Sequence, residues 1–171
     1  SIKVQTYTPE TLCTDSPLAD DILAGSLWAG TTMRDLYRKS MLPLEWHRPL
    51  KERAESRGLV FFSTPFSVSD VECLESLDVV RYKIASLEAV DLPLLQRVAE
   101  THKPVYLSTG GCSFSEIKRS VRHLVRHGCK DLTILACTLE YPARPEDNRI
   151  AYLFKLFDAL RFECRGNARI C

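Results

Sequence analysis

The amino-acid sequence predicts an α/β protein made of about five consecutive βα units. Three observations support this: short runs rich in β-branched and aromatic residues recur, amphipathic helical stretches separate them, and polar residues end each run. The predicted strands are Lys3 to Thr6, Leu59 to Ser63, Arg81 to Ala85, Val105 to Ser108 and Leu132 to Ala136. Parallel strands at this spacing fit an open doubly wound sheet or an eightfold barrel. A complete barrel needs about 250 residues, so a barrel of 171 residues would be incomplete.

The helices between these strands are predicted from their start and stop signals. Three helix starts are predicted ahead of apolar patterns of helical period, where a side-chain oxygen can cap the first turn: Ser67 and Ser69, Asp91 with Pro93, and Ser113 and Ser115. Gly58 and Gly128 follow helical stretches, where a left-handed cap is expected.

The segment from Thr8 to Ser40 departs from this pattern. It is too long for an ordinary βα connection and contains two prolines and two glycines. Connections of this length are often functional lids, which is the expectation here. A helix from about Leu44 to Arg57 is predicted to return the chain to the second strand.

Composition and charge exclude several classes of protein. The chain is 45% hydrophobic and 26% charged, which indicates one soluble globular domain. The net charge of +1 does not indicate binding to nucleic acid or to an anionic membrane. The apolar runs are too short to span a bilayer. Basic residues between positions 118 and 127 alternate with an apolar helical stripe, so we interpret them as a solvated face. We therefore expect no nucleic acid, no membrane and a cytoplasmic location.

The seven cysteines are scattered without a CxxC pair. We expect reduced, mostly buried thiols rather than a disulfide framework or a zinc site. His47 has no second metal-type residue three or four positions away, so it is interpreted as a surface or packing residue.

Polar side chains follow the predicted strands at the points where the strands end. They are Lys3 and Gln5, Ser63 and Thr64, Lys83 and Ser86, Ser108 and Thr109, and Cys137 and Thr138. Because the carboxyl ends of parallel strands open on one face, these side chains are predicted to converge. Lysines and hydroxyls suit a small anion such as a phosphate or a carboxylate. A nucleotide-binding glycine motif is missing, since the Gly110-Gly111 pair is too short to be one.

Five ordered groups of residues resemble the sialic acid synthase family. They are Lys3-Val4-Gln5-Thr6-Tyr7, Phe62-Ser63-Thr64-Pro65-Phe66, Tyr82-Lys83-Ile84-Ala85-Ser86-Leu87-Glu88, Lys103-Pro104-Val105-Tyr106-Leu107-Ser108-Thr109-Gly110, and Cys137-Thr138 followed by Tyr141-Pro142-Ala143 and Pro145-Glu146-Asp147. They occur in the family's order and at its approximate spacing as far as Ile150. The stretches Ser26-Leu27-Trp28, Gly30-Thr31 and Glu45-Trp46-His47 are most similar to the pseudaminic acid synthase branch.

The resemblance implies a partial TIM (β/α)8 barrel that holds strands 2 to 6 and lacks the first and last strands. It implies a transferase that condenses phosphoenolpyruvate with the open-chain aldehyde of an N-acetylated amino sugar, giving a nine-carbon 2-keto acid. Family members use a divalent metal (Mn²⁺, Mg²⁺ or Co²⁺) to polarise the aldehyde. A homodimer is expected for the full-length family member.

The resemblance also implies residue roles by matching position. The residues that would bind phosphoenolpyruvate are Lys3, Thr64, Lys83, Ser86 and Ser108. The two lysines would hold its phosphate and carboxylate, and the hydroxyls would donate to it.

Further positions match those that contact the sugar or act in the reaction. Gln5 and Tyr141 match sugar-contacting positions. Glu88 and Lys83 match catalytic positions, where the carboxylate handles protons or developing positive charge. A carboxylate beside two lysines is expected to stay ionised.

The chain also departs from the family pattern. Ala136 replaces a histidine or lysine, and Gly111 replaces a methionine. After Ile150 the residues no longer match the family's motifs. We therefore expect a partial synthase domain over residues 1–150, a divergent tail over 151–171 that continues the last helix, and no antifreeze-like domain. The metal ligands are expected to lie outside this chain, which would be part of a longer synthase.

Other interpretations of the same residues stay open. Lys83 could form a Schiff base in a class I lyase, or the chain could be an inactive barrel remnant that acts as a binding or scaffold module. Glu88 could be an ordinary loop acid, and Tyr141 a packed turn aromatic. The serines at positions 63, 86 and 108 could simply cap the helices that follow them.

Overall fold

Strands and helices alternate along the chain in a computed structural model, which describes residues 1–16, 18, 28–139, 143–147, 150–160 and 168–170. The strands are β1 (Ile2–Thr6), β2 (Phe61–Pro65), β3 (Tyr82–Ile84), β4 (Val105–Ser108), β5 (Leu132–Leu135) and β6 (Ala168–Ile170). The helices are α1 (Pro9–Leu12), α2 (Met33–Ser40), α3 (His47–Glu55), α4 (Val68–Ser76), α5 (Leu92–Ala99), α6 (Phe114–Arg126) and α7 (Ile150–Leu160). Single 3₁₀ turns lie at Leu44–Trp46, Leu87–Val90 and Pro145–Asp147. The chain divides into two compact units, residues 1–77 and residues 78–171.

The first unit contains β1 and β2, which pair in parallel. Between them the structure places helices in part of the segment that was predicted to be a long loop. Thr32 caps α2 by accepting a hydrogen bond from the Asp35 amide. The helix predicted from about Leu44 begins as a 3₁₀ turn and continues as α3, which ends at Glu55.

The second unit contains a parallel array in which β3 pairs with β4, β4 with β5, and β5 with β6. The pairing registers Lys83 with Tyr106 and Tyr106 with Thr133. Strand β6 was not predicted, because its three residues carry no apolar run that a sequence pattern could identify.

The predicted helix starts are confirmed. The side chains of Ser67, Asp91 and Ser113 accept hydrogen bonds from amides three residues later, and Ser113 forms a capping box with Glu116. Gly128 follows α6 with φ of +107°, a conformation that residues with a side chain rarely adopt.

The apolar core of the second unit follows the periodicity of its elements. Alternate strand residues are buried, as in Tyr82 and Ile84 of β3, while the helices bury residues spaced three and four apart. The apolar helix residues of this unit with 1% exposure or less are Leu94, Leu95, Val98, Ala99, Ile117, Val121, Leu124, Leu156 and Leu160. Each buried leucine or isoleucine contributes about 1.5–3 kcal/mol relative to an exposed position. This stripe supports the interpretation that the basic residues of α6 lie outside the core.

Five cysteines lie among the described residues, and all five are free thiols. Of these five, Cys129 is buried, Cys137 is exposed and the other three are partly exposed, so the prediction of mostly buried thiols is wrong for them. Within the described parts of the chain, every helix is too short or too polar to cross a membrane.

Candidate functional site

One face of the β1–β2 pair carries the predicted site residues of the first unit. The parallel register pairs Gln5 with Thr64 and Lys3 with Phe62. Since paired residues of neighbouring strands point to the same side, Lys3, Gln5 and Thr64 share one face. Burial lowers the pKa of the Lys3 ammonium, because removing water disfavours its charged form. The structure therefore brings these three predicted residues together.

The Thr64 hydroxyl is the most unusual group on this face. The residue is 1% exposed, and its Oγ1 atom has no hydrogen-bond partner among the residues that the structure describes. A buried hydroxyl without a partner costs about 1–3 kcal/mol, so such groups are rare in folded proteins. A ligand that accepts or donates a hydrogen bond at this position would remove that cost.

The opposite face of the same strands holds a polar network that the sequence analysis missed. Thr6 Oγ1 lies 2.7 Å from Ser63 Oγ and 2.8 Å from His47 Nε2. His47 Nδ1 lies 3.2 Å from the Pro43 carbonyl oxygen. Thr6, Ser63 and His47 are all fully buried, so the packing alternative for His47 is confirmed and the surface alternative is wrong. The sequence signal that could have indicated this network is the presence of two polar residues, Thr6 and Ser63, at strand positions that face the helices.

In the second unit, the segments that follow β3, β4 and β5 lie against one another. Ser86 Oγ accepts a hydrogen bond of 3.1 Å from the Gly110 amide, and the Ser86 carbonyl accepts one from Cys112 Sγ at 3.6 Å. Thr109 donates from both its amide and its hydroxyl to the Leu135 carbonyl, each at 3.0 Å. Loops after three consecutive strands thus meet at the strand carboxyl ends.

Gly110 fills a position where a side chain would not fit without adjustment. A Cβ atom there would lie 3.1 Å from each of Ser86 Oγ, the Cys137 carbonyl oxygen and Leu139 Cδ2. A side chain at this position would require the three loops to shift by a few tenths of an ångström.

Glu88 lies on the 3₁₀ turn after β3, and its environment differs from the expectation. Burial raises the pKa of its carboxyl group, Asp91 adds to that rise, and the Lys83 ammonium lowers the pKa by a smaller amount. The loss of solvent therefore shifts the pKa of Glu88 more than the Lys83 charge does, and the expectation that Glu88 is ionised stays a prediction. A carboxyl group with a raised pKa is suited to carry a proton.

Ser108 ends β4 and is buried, as is Thr109. The alternative that the strand-end serines cap helices is wrong. The caps of α4 and α6 are Ser67 and Ser113 rather than Ser63 and Ser108, and Ser86 makes no side-chain capping bond to the turn that follows it.

The predicted site residues therefore fall into two groups. The first unit brings together Lys3, Gln5 and Thr64, and the second unit carries Lys83, Ser86, Glu88 and Ser108 near the carboxyl ends of β3 and β4. The convergence of the two groups into one site stays a prediction. Tyr141 lies outside the described residues.

A cavity of about 420 Å³ in the second unit lies away from these residues. Its lining includes Arg81, which precedes β3, Asp131, which precedes β5, and Tyr106. The Arg81 guanidinium donates to the Tyr106 hydroxyl at 2.9 Å. Because the cavity opens at the amino ends of the strands, it is not the predicted anion site.

The described residues do not fit the divalent metal that the resemblance implies. Among residues 1–16, 18, 28–139, 143–147, 150–160 and 168–170, no group of three His, Cys, Asp or Glu side chains could hold a metal ion. No reaction step is therefore assigned to a metal here.

Comparison with known proteins adds independent findings. A model described as the NeuB family matches residues 1–166. Pseudaminic acid synthase from Helicobacter pylori is 40% identical over 155 residues, which cover 91% of this chain and 46% of that protein. N,N'-diacetyllegionaminic acid synthase from Campylobacter jejuni is 33% identical over 130 residues, which cover 75% of this chain and 39% of that protein.

A solved structure confirms the fold. The N-acetylneuraminic acid synthetase from Leptospira borgpetersenii, crystallised in complex with citrate, superposes with a TM-score of 0.79 at 23% identity and covers 99% of this chain and 52% of that one. The chain spans about half the length of the curated relatives that it matches. Since the family match covers almost the whole sequence and begins at its first residue, this chain belongs to the NeuB family.

Proposed function

We propose that this chain serves the condensation of phosphoenolpyruvate with the aldehyde of an N-acetylated amino sugar, in the biosynthesis of a nonulosonate such as pseudaminic acid. Its relatives are named as pseudaminic and legionaminic acid synthases, which supports this class of product. The finer fold that we propose is a partial (β/α)8 barrel of consecutive strands.

The observation that carries the proposal is the buried Thr64 hydroxyl, which has no hydrogen-bond partner in the described parts of the chain and lies on the same face as Lys3 and Gln5. A buried hydroxyl on the same strand face as an ammonium group is an arrangement that suits an anionic ligand. Burial already lowers the pKa of Lys3, so binding of an anion would be favoured by restoring a partner for its charged form.

The second unit carries further groups that suit an anion. The Ser86 hydroxyl oxygen accepts from Gly110, which leaves its hydrogen to be donated elsewhere. In the proposal, that hydrogen and the Ser108 hydroxyl donate to phosphoenolpyruvate, while Lys83 offsets its negative charge. Charged hydrogen bonds of this kind are stronger than neutral ones.

The proposed reaction forms one C–C bond and breaks one C–O bond. Carbon 3 of phosphoenolpyruvate attacks the aldehyde carbon, whose oxygen takes up a proton. Water adds at carbon 2 and loses one proton, which leaves a hydroxyl there. Phosphate then departs with the oxygen that joined it to carbon 2, and the hydroxyl loses its remaining proton and becomes the ketone. Glu88 is the proposed proton carrier, since burial raises its pKa.

Titration calorimetry with phosphoenolpyruvate tests the proposal. The chain should bind this ligand, and Lys83→Ala and Ser108→Ala should each weaken binding by about 10- to 100-fold, because charged hydrogen bonds contribute about 1.5–3 kcal/mol. Lys130→Ala, which removes a charge at an exposed position, is the matched control and should leave the affinity unchanged. In an intact synthase the two site variants should weaken phosphoenolpyruvate binding more than sugar binding.

Two results would contradict the proposal. A folded chain that gives no heat of binding would favour an inactive remnant. Borohydride reduction in the presence of pyruvate should leave Lys83 unmodified, and a trapped adduct there would favour a Schiff-base lyase instead.

A further inference from the structure

We propose that His47 is a positioning residue that fixes the strand ends bearing Gln5 and Thr64, through a hydrogen-bond chain running from Ser63 through Thr6 to its imidazole. This inference rests on the proposed function, because Gln5 and Thr64 are site residues only under that proposal.

The direction of the chain follows from which atoms can donate. The Pro43 carbonyl oxygen can only accept, so His47 Nδ1, at 3.2 Å, carries the hydrogen. In a neutral imidazole Nε2 is then an acceptor, and the Thr6 hydroxyl, at 2.8 Å, donates to it. The Thr6 oxygen in turn accepts from the Ser63 hydroxyl at 2.7 Å. With this assignment each hydroxyl and both ring nitrogens have a partner.

The location of the network explains what it positions. Thr6 follows Gln5 in β1, and Ser63 precedes Thr64 in β2. Since successive strand side chains point to opposite faces, hydrogen bonds made by Thr6 and Ser63 on one face restrain the direction of Gln5 and Thr64 on the other. Gln5 and Thr64 are themselves paired across the two strands. One imidazole therefore ties α3 to the strand segment from which both site residues project.

The hydrogen-bond chain requires an imidazole with a single ring hydrogen, and this imidazole is fully buried. The nearby acidic group is Asp70, whose carboxylate accepts a hydrogen bond of 3.0 Å from the Phe66 amide. Burial raises the pKa of the Asp70 carboxyl group. A second ring proton would also oblige Thr6 and Ser63 to reverse their donors.

The first test is the tautomer of His47, read from long-range ¹H–¹⁵N correlations of the full chain at a pH above the usual imidazole range. The proposal requires a hydrogen on Nδ1 and none on Nε2. A hydrogen on Nε2 would overturn it, because Thr6 could then no longer donate to the ring.

The second test uses variants that separate positioning from stability. Thr6→Val removes the central hydroxyl, Thr6→Ser retains it, and Ser120→Ala removes a buried hydroxyl that bonds within α6 as a matched control. Amide exchange at residues 5 and 64 should accelerate in Thr6→Val, stay close to wild type in Thr6→Ser, and be unchanged in Ser120→Ala. Equal acceleration in Thr6→Val and Thr6→Ser would contradict the proposal.

Phosphoenolpyruvate affinity provides the functional readout. Loss of a supporting partner behind a binding residue costs about 10- to 100-fold in metal sites, and we expect about tenfold for Thr6→Val, with rescue by Thr6→Ser. A wild-type chain that binds no phosphoenolpyruvate, while showing the predicted tautomer and exchange, would refute the proposed function and leave the positioning role standing. Unchanged affinity in a folded Thr6→Val chain that exchanges faster would refute the positioning role alone.

Discussion

The two faces of the β1–β2 pair differ in whether their buried polar side chains are hydrogen-bonded. On one face, Thr6, Ser63 and His47 are buried and bonded to one another. On the other face, Thr64 is equally buried, yet its hydroxyl has no partner among the described residues. The two threonines lie on neighbouring strands and differ mainly in what surrounds their oxygen atoms.

This difference separates polar groups that stabilise the fold from polar groups that are available to a ligand. A satisfied buried network contributes to stability, whereas an unsatisfied buried hydroxyl lowers it until something binds. Burial alone therefore does not identify a site residue, and the hydrogen-bond partner of each buried oxygen has to be known.

The largest expected effect comes from making the same change on both faces. Thr6→Val should lower the free energy of unfolding by about 1–3 kcal/mol, because it leaves His47 Nε2 and the Ser63 hydroxyl without their partner. Thr64→Val should leave stability unchanged or raise it, since it removes a hydroxyl that none of the described residues bonds. Urea unfolding of the two variants measures both values. Equal losses would mean that the two faces do not differ in this way.

An intermediate effect is expected in the second unit, where the Ser86 hydroxyl is bonded to a loop amide. Ser86→Ala should lower the free energy of unfolding by about 1 kcal/mol, because the Gly110 amide loses its acceptor. Ser115→Ala is the matched control at an exposed position and should stay within about 0.5 kcal/mol of wild type. If Ser86→Ala is as stable as this control, the Ser86 hydroxyl does not stabilise the fold. It would then resemble the Thr64 hydroxyl rather than that of Thr6.

The smallest expected effect is a pH dependence that differs between two glutamates. Burial raises the pKa of Glu88, so the folded chain keeps this proton to a higher pH than the unfolded chain, and stability falls as pH rises through that interval. Glu88→Gln should therefore stabilise the chain at neutral pH. The gain should vanish below the ordinary glutamate pKa of about 4.3.

Glu116 should behave in the opposite way. Hydrogen bonds from the Ser113 amide and hydroxyl lower its pKa, so its contribution is present at neutral pH and is lost as pH falls through the lowered pKa. Glu116→Gln should destabilise the chain at neutral pH, and acid should remove the difference. Urea unfolding at a series of pH values checks both glutamates, and the same sign for both would contradict the assignment.

Much of the fold could be predicted because local rules determine it. Ser67, Asp91 and Ser113 cap their helices as expected. A side-chain oxygen just before an apolar run of helical period can accept a hydrogen bond from a free amide of the first turn. The same holds for the strands, although β2 begins at Phe61 rather than Leu59.

The parts that escaped prediction depend on contacts between distant residues. His47 gives no local sign that it meets Thr6, which lies 41 residues away in the sequence. The raised pKa of Glu88 depends on how much solvent the folded chain removes, which charge spacing along the sequence does not reveal. Strand β6 is held by pairing with β5, and its short segment has little strand character of its own.

The crowding around Gly110 has a mechanical consequence. Ser86, Cys137 and Leu139 surround it so closely that there is no clearance for even a methyl group without adjustment. A ligand that pushes Ser86 aside would therefore press on Gly110 and, through it, on the segment after β5. The three loops would therefore be displaced together rather than one at a time.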